Sequence, residues 1–279
     1  MDRIYWERKI HGVDRLNDPD PLVRREVALK LYTLIRDGAL IYKDEDLDSL
    51  KDSDPIIRML MADLLCERAL HMESMDGALP ALAKALGDEK AFVRKSVSNA
   101  INASVQNPAC EFRLVVDVLI KALEDENVIV KKNAACSFMS YRYCHGEHDA
   151  VVDALKKALQ DEDIRYYAVF SLARISEMYK KIDAKVIIDF ILDEDKQVAL
   201  TAMQGMGQMD AVDLIEVRGK MAEAVKRKPE VKRKATEAYV EICNRLSKKR
   251  QKIDMPGEVL KARVKPPKKT FRQMRVAAV

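Results

Sequence analysis

"NDPDPLVRREVALKLYTLI", residues 17–35, opens with a polar turn, passes a β-branched residue, Val23, and a basic one, Arg24, then runs on with apolar residues at helical spacing. The same order recurs in six further stretches. They are "KDSDPIIRMLMADLLCERA" (51–69), "GDEKAFVRKSVSNAINASV" (87–105), "EDENVIVKKNAACSFMSYR" (124–142), "QDEDIRYYAVFSLARI" (160–175), "LDEDKQVALTAMQGMGQM" (192–209) and "KRKPEVKRKATEAYVEICNRL" (226–246). The β-branched anchors are Val23, Ile57, Val93, Val130, Ile164, Val198 and Val231, spaced 34, 36, 37, 34, 34 and 33 residues apart. A period of this length kept through seven units marks an array of stacked supersecondary units.

A second helical pattern lies between anchors. Leu79, Leu82, Ala83 and Leu86 share one face, as do Val115, Val116, Leu119, Ile120 and Leu123, and Val151, Val152, Leu155 and Leu159. Pro21, Pro55, Pro80, Pro108 and Pro229 fall near helix starts, where a missing N–H costs least. No segment alternates with period two. The expectation is an all-α fold, an α-solenoid of about seven antiparallel helix pairs. It spans residues 1–247 and is followed by a basic, largely irregular tail over 248–279.

The run Asp18-Pro19-Asp20-Pro21-Leu22-Val23-Arg24 resembles the HEAT repeat, especially the short type found in phycobilin-lyase-like proteins. The resemblance covers roughly residues 1–247. It implies that the second helix of each pair lines a concave face. It implies little about function, because such arrays serve many.

Asp18, Asp52, Asp88, Asp125 and Asp193 lie five residues before their anchors, and Asp161 lies three before its own. An acid there is expected to cap the second helix and complement its dipole. One residue past the anchors stand Arg24, Arg58, Arg94, Lys131, Arg165 and Lys232, with Ala199 the exception. By the same resemblance, such a basic ladder pairs with neighbouring turn acids.

The seventh unit breaks this charge pattern. "KRKPEVKRK", residues 226–234, puts Lys226, Arg227 and Lys228 where earlier units carry acids, then Lys232, Arg233 and Lys234 at the helix start. Cations there oppose the helix dipole. One reading is an anion site for a phosphate backbone, an acidic peptide or a membrane headgroup; the other is a terminal unit whose outer face needs charge. Residues 1–217 hold 29 Lys+Arg against 39 Asp+Glu, a net −10, and residues 218–279 hold 20 against 6, a net +14. Such asymmetry points to an anionic partner for the basic end, which includes Lys248, Lys249 and Arg250.

Hydrophobic residues make up 48% of the 279 and charged residues 34%, enough for a packed core with a well-charged surface. The cysteines, Cys66, Cys110, Cys136, Cys144 and Cys243, are odd in number and contain no CxxC pair, which suggests reduced thiols and an intracellular setting. The first ten residues are charged throughout and give no secretory signal, and no apolar run approaches a membrane span. "KKRQK" (248–252) resembles a nuclear-import signal, which would place a eukaryotic chain in the nucleus.

Motifs for chemistry are sparse. His145, Glu147, His148 and Asp149 crowd one loop and form a weak metal candidate. The paired His-Glu sets by which metal-binding HEAT hydroxylases hold two irons are missing elsewhere, since His11 and His71 stand alone. Alkylpurine glycosylases built on HEAT-like repeats use a catalytic carboxylate with aromatics around a flipped base. Asp63 offers the carboxylate, but Trp6 is the single Trp and Tyr166-Tyr167 splay about 100° apart on one helix. Met203, Met206 and Met209 beside Gly205 and Gly207 read as soft core packing or, alternatively, a Met-lined peptide groove. Lys95, Asn99, Asn102, Lys132 and Asn133, with Ser137 and Tyr141, form a polar, mildly basic strip suited to peptide backbone or phosphate.

The sequence therefore points to a non-enzymatic scaffold without cofactor. Its concave face would bind a protein segment, and its basic seventh unit and tail an anionic partner, nucleic acid or acidic protein. The alternative is a nucleic-acid-binding repeat protein, with glycosylase-like repair as its enzymatic form.

Overall fold

Helix starts are built by the turn residues. Asp20 and Asp54 adopt extended backbone and accept the N–H of Leu22 and Ile56, each at 2.9 Å, while Pro21 and Pro55 occupy the first helical position. Asn127 and Asp195 cap their helices in the same way, through the N–H of Ile129 and Gln197. In the computed structural model the described residues are 13–37, 44–71, 75–107, 110–140, 148–178, 182–209 and 212–248.

Eleven α-helices follow along the described residues. They are α1 (Pro21–Arg36), α2 (Pro55–Leu70), α3 (Leu79–Ala85), α4 (Ala91–Ser104), α5 (Val116–Ala122), α6 (Val128–Ser137), α7 (His148–Ala158), α8 (Arg165–Met178), α9 (Lys196–Gly205), α10 (Leu214–Arg227) and α11 (Lys232–Lys248). The anchored second helices are α1, α2, α4, α6, α8, α9 and α11. Among the described residues there is no strand, and no helix is long and apolar enough to cross a membrane.

The chain divides into two compact units, Met1–Ile182 and Asp183–Val279. In the first, the second helices stack in sequence, α1 on α2, α2 on α4, α4 on α6 and α6 on α8, while α3, α5 and α7 pack against the helices that follow them. In the second, α9 packs on α11, and α10 on the turn at 188–192 and on α11. Stacking buries what one pair cannot cover alone. Ile57, Val93, Val130, Ile164 and Val231 are fully buried and Val198 nearly so. Val23 stays half-buried among the described residues. Each buried anchor contributes about 1.5–3 kcal/mol.

Not every first segment is an α-helix. Val13–Asn17, Asp44–Lys51, Ala184–Val186 and Ile188–Leu192 are short 3-10 turns where full helices were expected. In the sixth unit "VIID" sets β-branched residues side by side, which disfavours a long α-helix, yet Ile187, Ile188 and Ile191 are still buried. The methionine stripe is core: Met203, Met206 and Met209 are fully buried, which removes the open Met groove. A Cβ on Gly207 would stand 3.9 Å from Glu241, an ordinary contact, so no close helix approach requires that glycine.

Candidate interaction surfaces

The charged residues of the turns are mostly consumed by the fold. Arg24 forks onto Asp52 at 2.8 and 2.9 Å, Arg58 onto Asp88 at 2.6 and 3.0 Å, and Arg94 onto Asp125 at 2.7 and 3.0 Å. A third nitrogen of each guanidinium donates to a carbonyl of its own turn six residues back, Asp18, Asp52 and Asp88 respectively, at 2.8, 2.8 and 2.9 Å. Lys131 continues the series onto Asp161. Each arginine thus ties two consecutive turns, using the planar five-donor head that only Arg offers. The first four ladder cations pair with the next turn's acid, as the resemblance implied.

The acids do a different job from the one expected. Asp18, Asp52, Asp88, Asp125, Asp161 and Asp193 accept the backbone N–H two residues on, at 2.7 to 3.0 Å. All six shape the turn, and Asp52, Asp88, Asp125 and Asp161 also receive the preceding unit's cation, while the cap falls to the residue two later at Asp20, Asp54, Asn127 and Asp195. Burial alone would push Asp52, Asp88 and Asp125 up. The arginine fork, the backbone N–H and the nearby charge outweigh it and hold all three below the ordinary carboxylate value.

The six cations of 226–234 divide. Lys228 Nζ lies 2.8 Å from the Asp193 carbonyl and also bonds the Glu194 carbonyl. These are the oxygens six and five residues before Ala199, the ones a ladder arginine there would hold. Lys228, expected in a partner-binding patch, thus has its ammonium engaged with carbonyls of the fold itself. Lys226, Arg227, Lys232 and Arg233 are exposed and Lys234 half-buried. Arg227 pairs with Glu223, and Arg233 and Lys234 with Glu237 at 3.5 and 3.4 Å. Among the described residues, Lys226 and Lys232 have no pair. Lys248 ends α11, and Lys249, Arg250 and the rest of the tail lie outside the described residues.

The polar strip is stitched across repeats. Asn133 Nδ2 donates to Ser98 Oγ at 2.8 Å and Asn99 Oδ1 at 2.6 Å, Ser137 donates to Asn102 at 3.3 Å, and Ser140 to Gln106 at 2.9 Å. Asn99, Asn102, Lys132 and Asn133 are half-buried and Lys95 exposed. Asn99 Nδ2 and Asn133 Oδ1 make no hydrogen bond among the described residues. Beyond the strip lie Tyr166, Tyr167 and Phe170. The tyrosine rings meet edge to face at 5.1 Å, closer company than their helical spacing suggested. On its other side Asp63 is half-buried on α2. Burial pushes its carboxyl up against the opposing pull of Ser96 and Lys95.

Of the metal candidate, His145 and Glu147 lie outside the described residues, and His148 begins α7. Tyr141 and Trp6 also lie outside them.

The chain is a helical-repeat solenoid. It matches no protein-family model and no curated protein. It is similar to an engineered protein solved in a structural-genomics programme, with TM-score 0.61 and 16% identity over 83% of this chain and 66% of that one. The chain thus spans just under two thirds of that structure's length. A second engineered protein gives TM-score 0.50 and 18% identity over 81% of this chain and 98% of that one. A designed armadillo repeat protein in complex with the peptide (KR)4 gives TM-score 0.48 and 18% identity. At such identities the likeness concerns the fold alone.

Proposed function

We propose that the chain is a non-enzymatic scaffold of HEAT type that holds a protein segment along its second helices. The observation that carries this reading is the strip of Lys95, Asn99, Asn102, Lys132 and Asn133. It is held in register by inter-repeat hydrogen bonds yet keeps an amide donor on Asn99 and an acceptor on Asn133 unused among the described residues. A peptide backbone presents the complementary pair at every residue. Peptides selected from a random library on the full chain should lose at least about tenfold in affinity against Asn99→Ala/Asn133→Ala, with helix content unchanged. Undiminished binding by that variant overturns the reading.

A second reading is favoured by Lys226 and Lys232, exposed and unpaired among the described residues. With Arg227, Arg233, Lys234, Lys248, Lys249 and Arg250 they would hold an anionic partner, nucleic acid or acidic protein. Anisotropy of labelled single-stranded DNA, against an acidic peptide of equal charge, separates the two. A glycosylase-like activity would rest on Asp63, and Asp63→Asn with unaltered release of alkylated base would dismiss it.

A further inference from the structure

The fourth junction of the ladder departs from the first three. At those three, a guanidinium holds a carbonyl of its own turn and forks onto the next turn's aspartate. At the fourth, Lys131 brings one ammonium to Asp161, and no hydrogen bond among the described residues reaches the Asp125 carbonyl, six residues before Lys131. The Asp161 side chain is 31% exposed, against 10%, 8% and 12% for Asp52, Asp88 and Asp125. A cavity of about 250 Å³, half open to solvent, lies here, lined by Ile120, Leu123, Ala154, Ala158 and Ile164 together with Glu124, Asp125, Lys131, Lys157 and Asp161.

We propose that this cavity receives the arginine side chain of a bound protein segment, completing the ladder from outside. The three intact junctions define what fits: a planar cation with a carbonyl on one edge and a carboxylate on the other. Apolar walls suit the three-carbon stem. Of the lining carboxylates Asp125 is held by Arg94 and Asp161 by Lys131, which leaves Glu124 without an ion pair among the described residues and able to attract a further cation. An ammonium matches less well, because it cannot bridge both acceptors in one plane. The proposal extends the protein-segment reading. Its site is separate, since Lys131 and Asn133 lie about 200° apart around α6.

The test is a nitrogen-15 amide titration of the full chain with Nα-acetyl-arginine amide, and with Nα-acetyl-lysine amide as control. Because the probe is a single capped residue, it reports on the cavity whether or not the Asn99 strip binds peptide. The expected result is saturable shifts confined to residues around 122–126 and 157–164, with a dissociation constant of about 1 mM. Lys131→Arg fills the site from within and should weaken the probe at least about tenfold, and Glu124→Gln about threefold. No saturable shift up to about 50 mM overturns the proposal. So does equal binding of the lysine amide, or undiminished binding by both variants.

Discussion

Lys228 Nζ stands 2.8 Å from the Asp193 carbonyl oxygen, on the acceptor that the sixth unit's own ladder residue would hold were it not Ala199. The cation has moved from one side of the junction to the other. The charge inversion at the start of the seventh unit is partly this exchange. Lys228→Ala should cost about 1–2 kcal/mol, because two carbonyls lose this donor. Ala199→Arg alone should also destabilise, by bringing a second cation to the same oxygens. The double variant should recover most of the loss. Urea unfolding followed by circular dichroism, read as a double-mutant cycle, checks this. Additive losses would refute the exchange.

The arginine forks should rank among the most sensitive surface-proximal contacts. Arg58 and Asp88 side chains are 11% and 8% exposed, and the same guanidinium holds the Asp52 carbonyl. Arg58→Ala should destabilise by about 2–3 kcal/mol and Arg58→Lys by about 1 kcal/mol, since one ammonium keeps part of the network. A shift in urea midpoint at constant slope is the measurement.

Much of this was legible in the sequence. The seven anchors gave the period and six of them the core, because an apolar residue recurring at one helix position faces the neighbouring repeat; Val23 alone among them stays half-buried. The acid-to-base pairing could be anticipated from the repeat. Capping was assigned two residues early, since an aspartate can serve its own turn or the helix and spacing alone does not choose. Lys228 was hidden for a related reason: its acceptors are backbone carbonyls, which no residue type announces. The fourth-junction cavity was hidden too, because Lys131 and Arg94 look interchangeable in a pattern of charge.

Acid should loosen the ladder within a narrow pH window. Asp52, Asp88 and Asp125 sit below the ordinary carboxylate value despite burial, which pushes them the other way. Their contribution is complete above the unfolded value of about 3.9 and disappears as pH falls through the lowered folded values. The urea midpoint should vary little from pH 7 to 5 and fall steeply below about pH 4. Asp88→Asn should lower stability at pH 7 and flatten the fall. An unchanged slope in that variant would place the acid sensitivity elsewhere.

Cys66 should be chemically quiet although it is only half-buried. Burial, then the charges of Glu67 and Asp63, push its thiol up to about 11. At pH 8 that leaves about 0.1% thiolate, against about a quarter for an ordinary cysteine. Alkylation by iodoacetamide, read by peptide mass spectrometry, should be about 200-fold slower at Cys66 in the native chain than in urea. Comparable rates would mean the helix opens readily there.

The cations that remain after Lys228 is assigned to the fold give a sharper test of polyanion binding than the whole basic stretch. Lys226 and Lys232 are exposed and unpaired among the described residues, and the Arg233 side chain is 79% exposed despite its contact with Glu237. If these three meet phosphates, each releases a counterion on binding. Replacing all three with Glu should reduce the dependence of log affinity on log salt by about 2–3. Lys228→Ala should leave that slope alone while lowering stability, because its ammonium is already engaged with backbone carbonyls. A triple variant with unchanged slope would reduce the patch to the polar outer face of a terminal repeat. A slope change from Lys228→Ala would mean that this ammonium leaves the Asp193 carbonyl to meet a ligand.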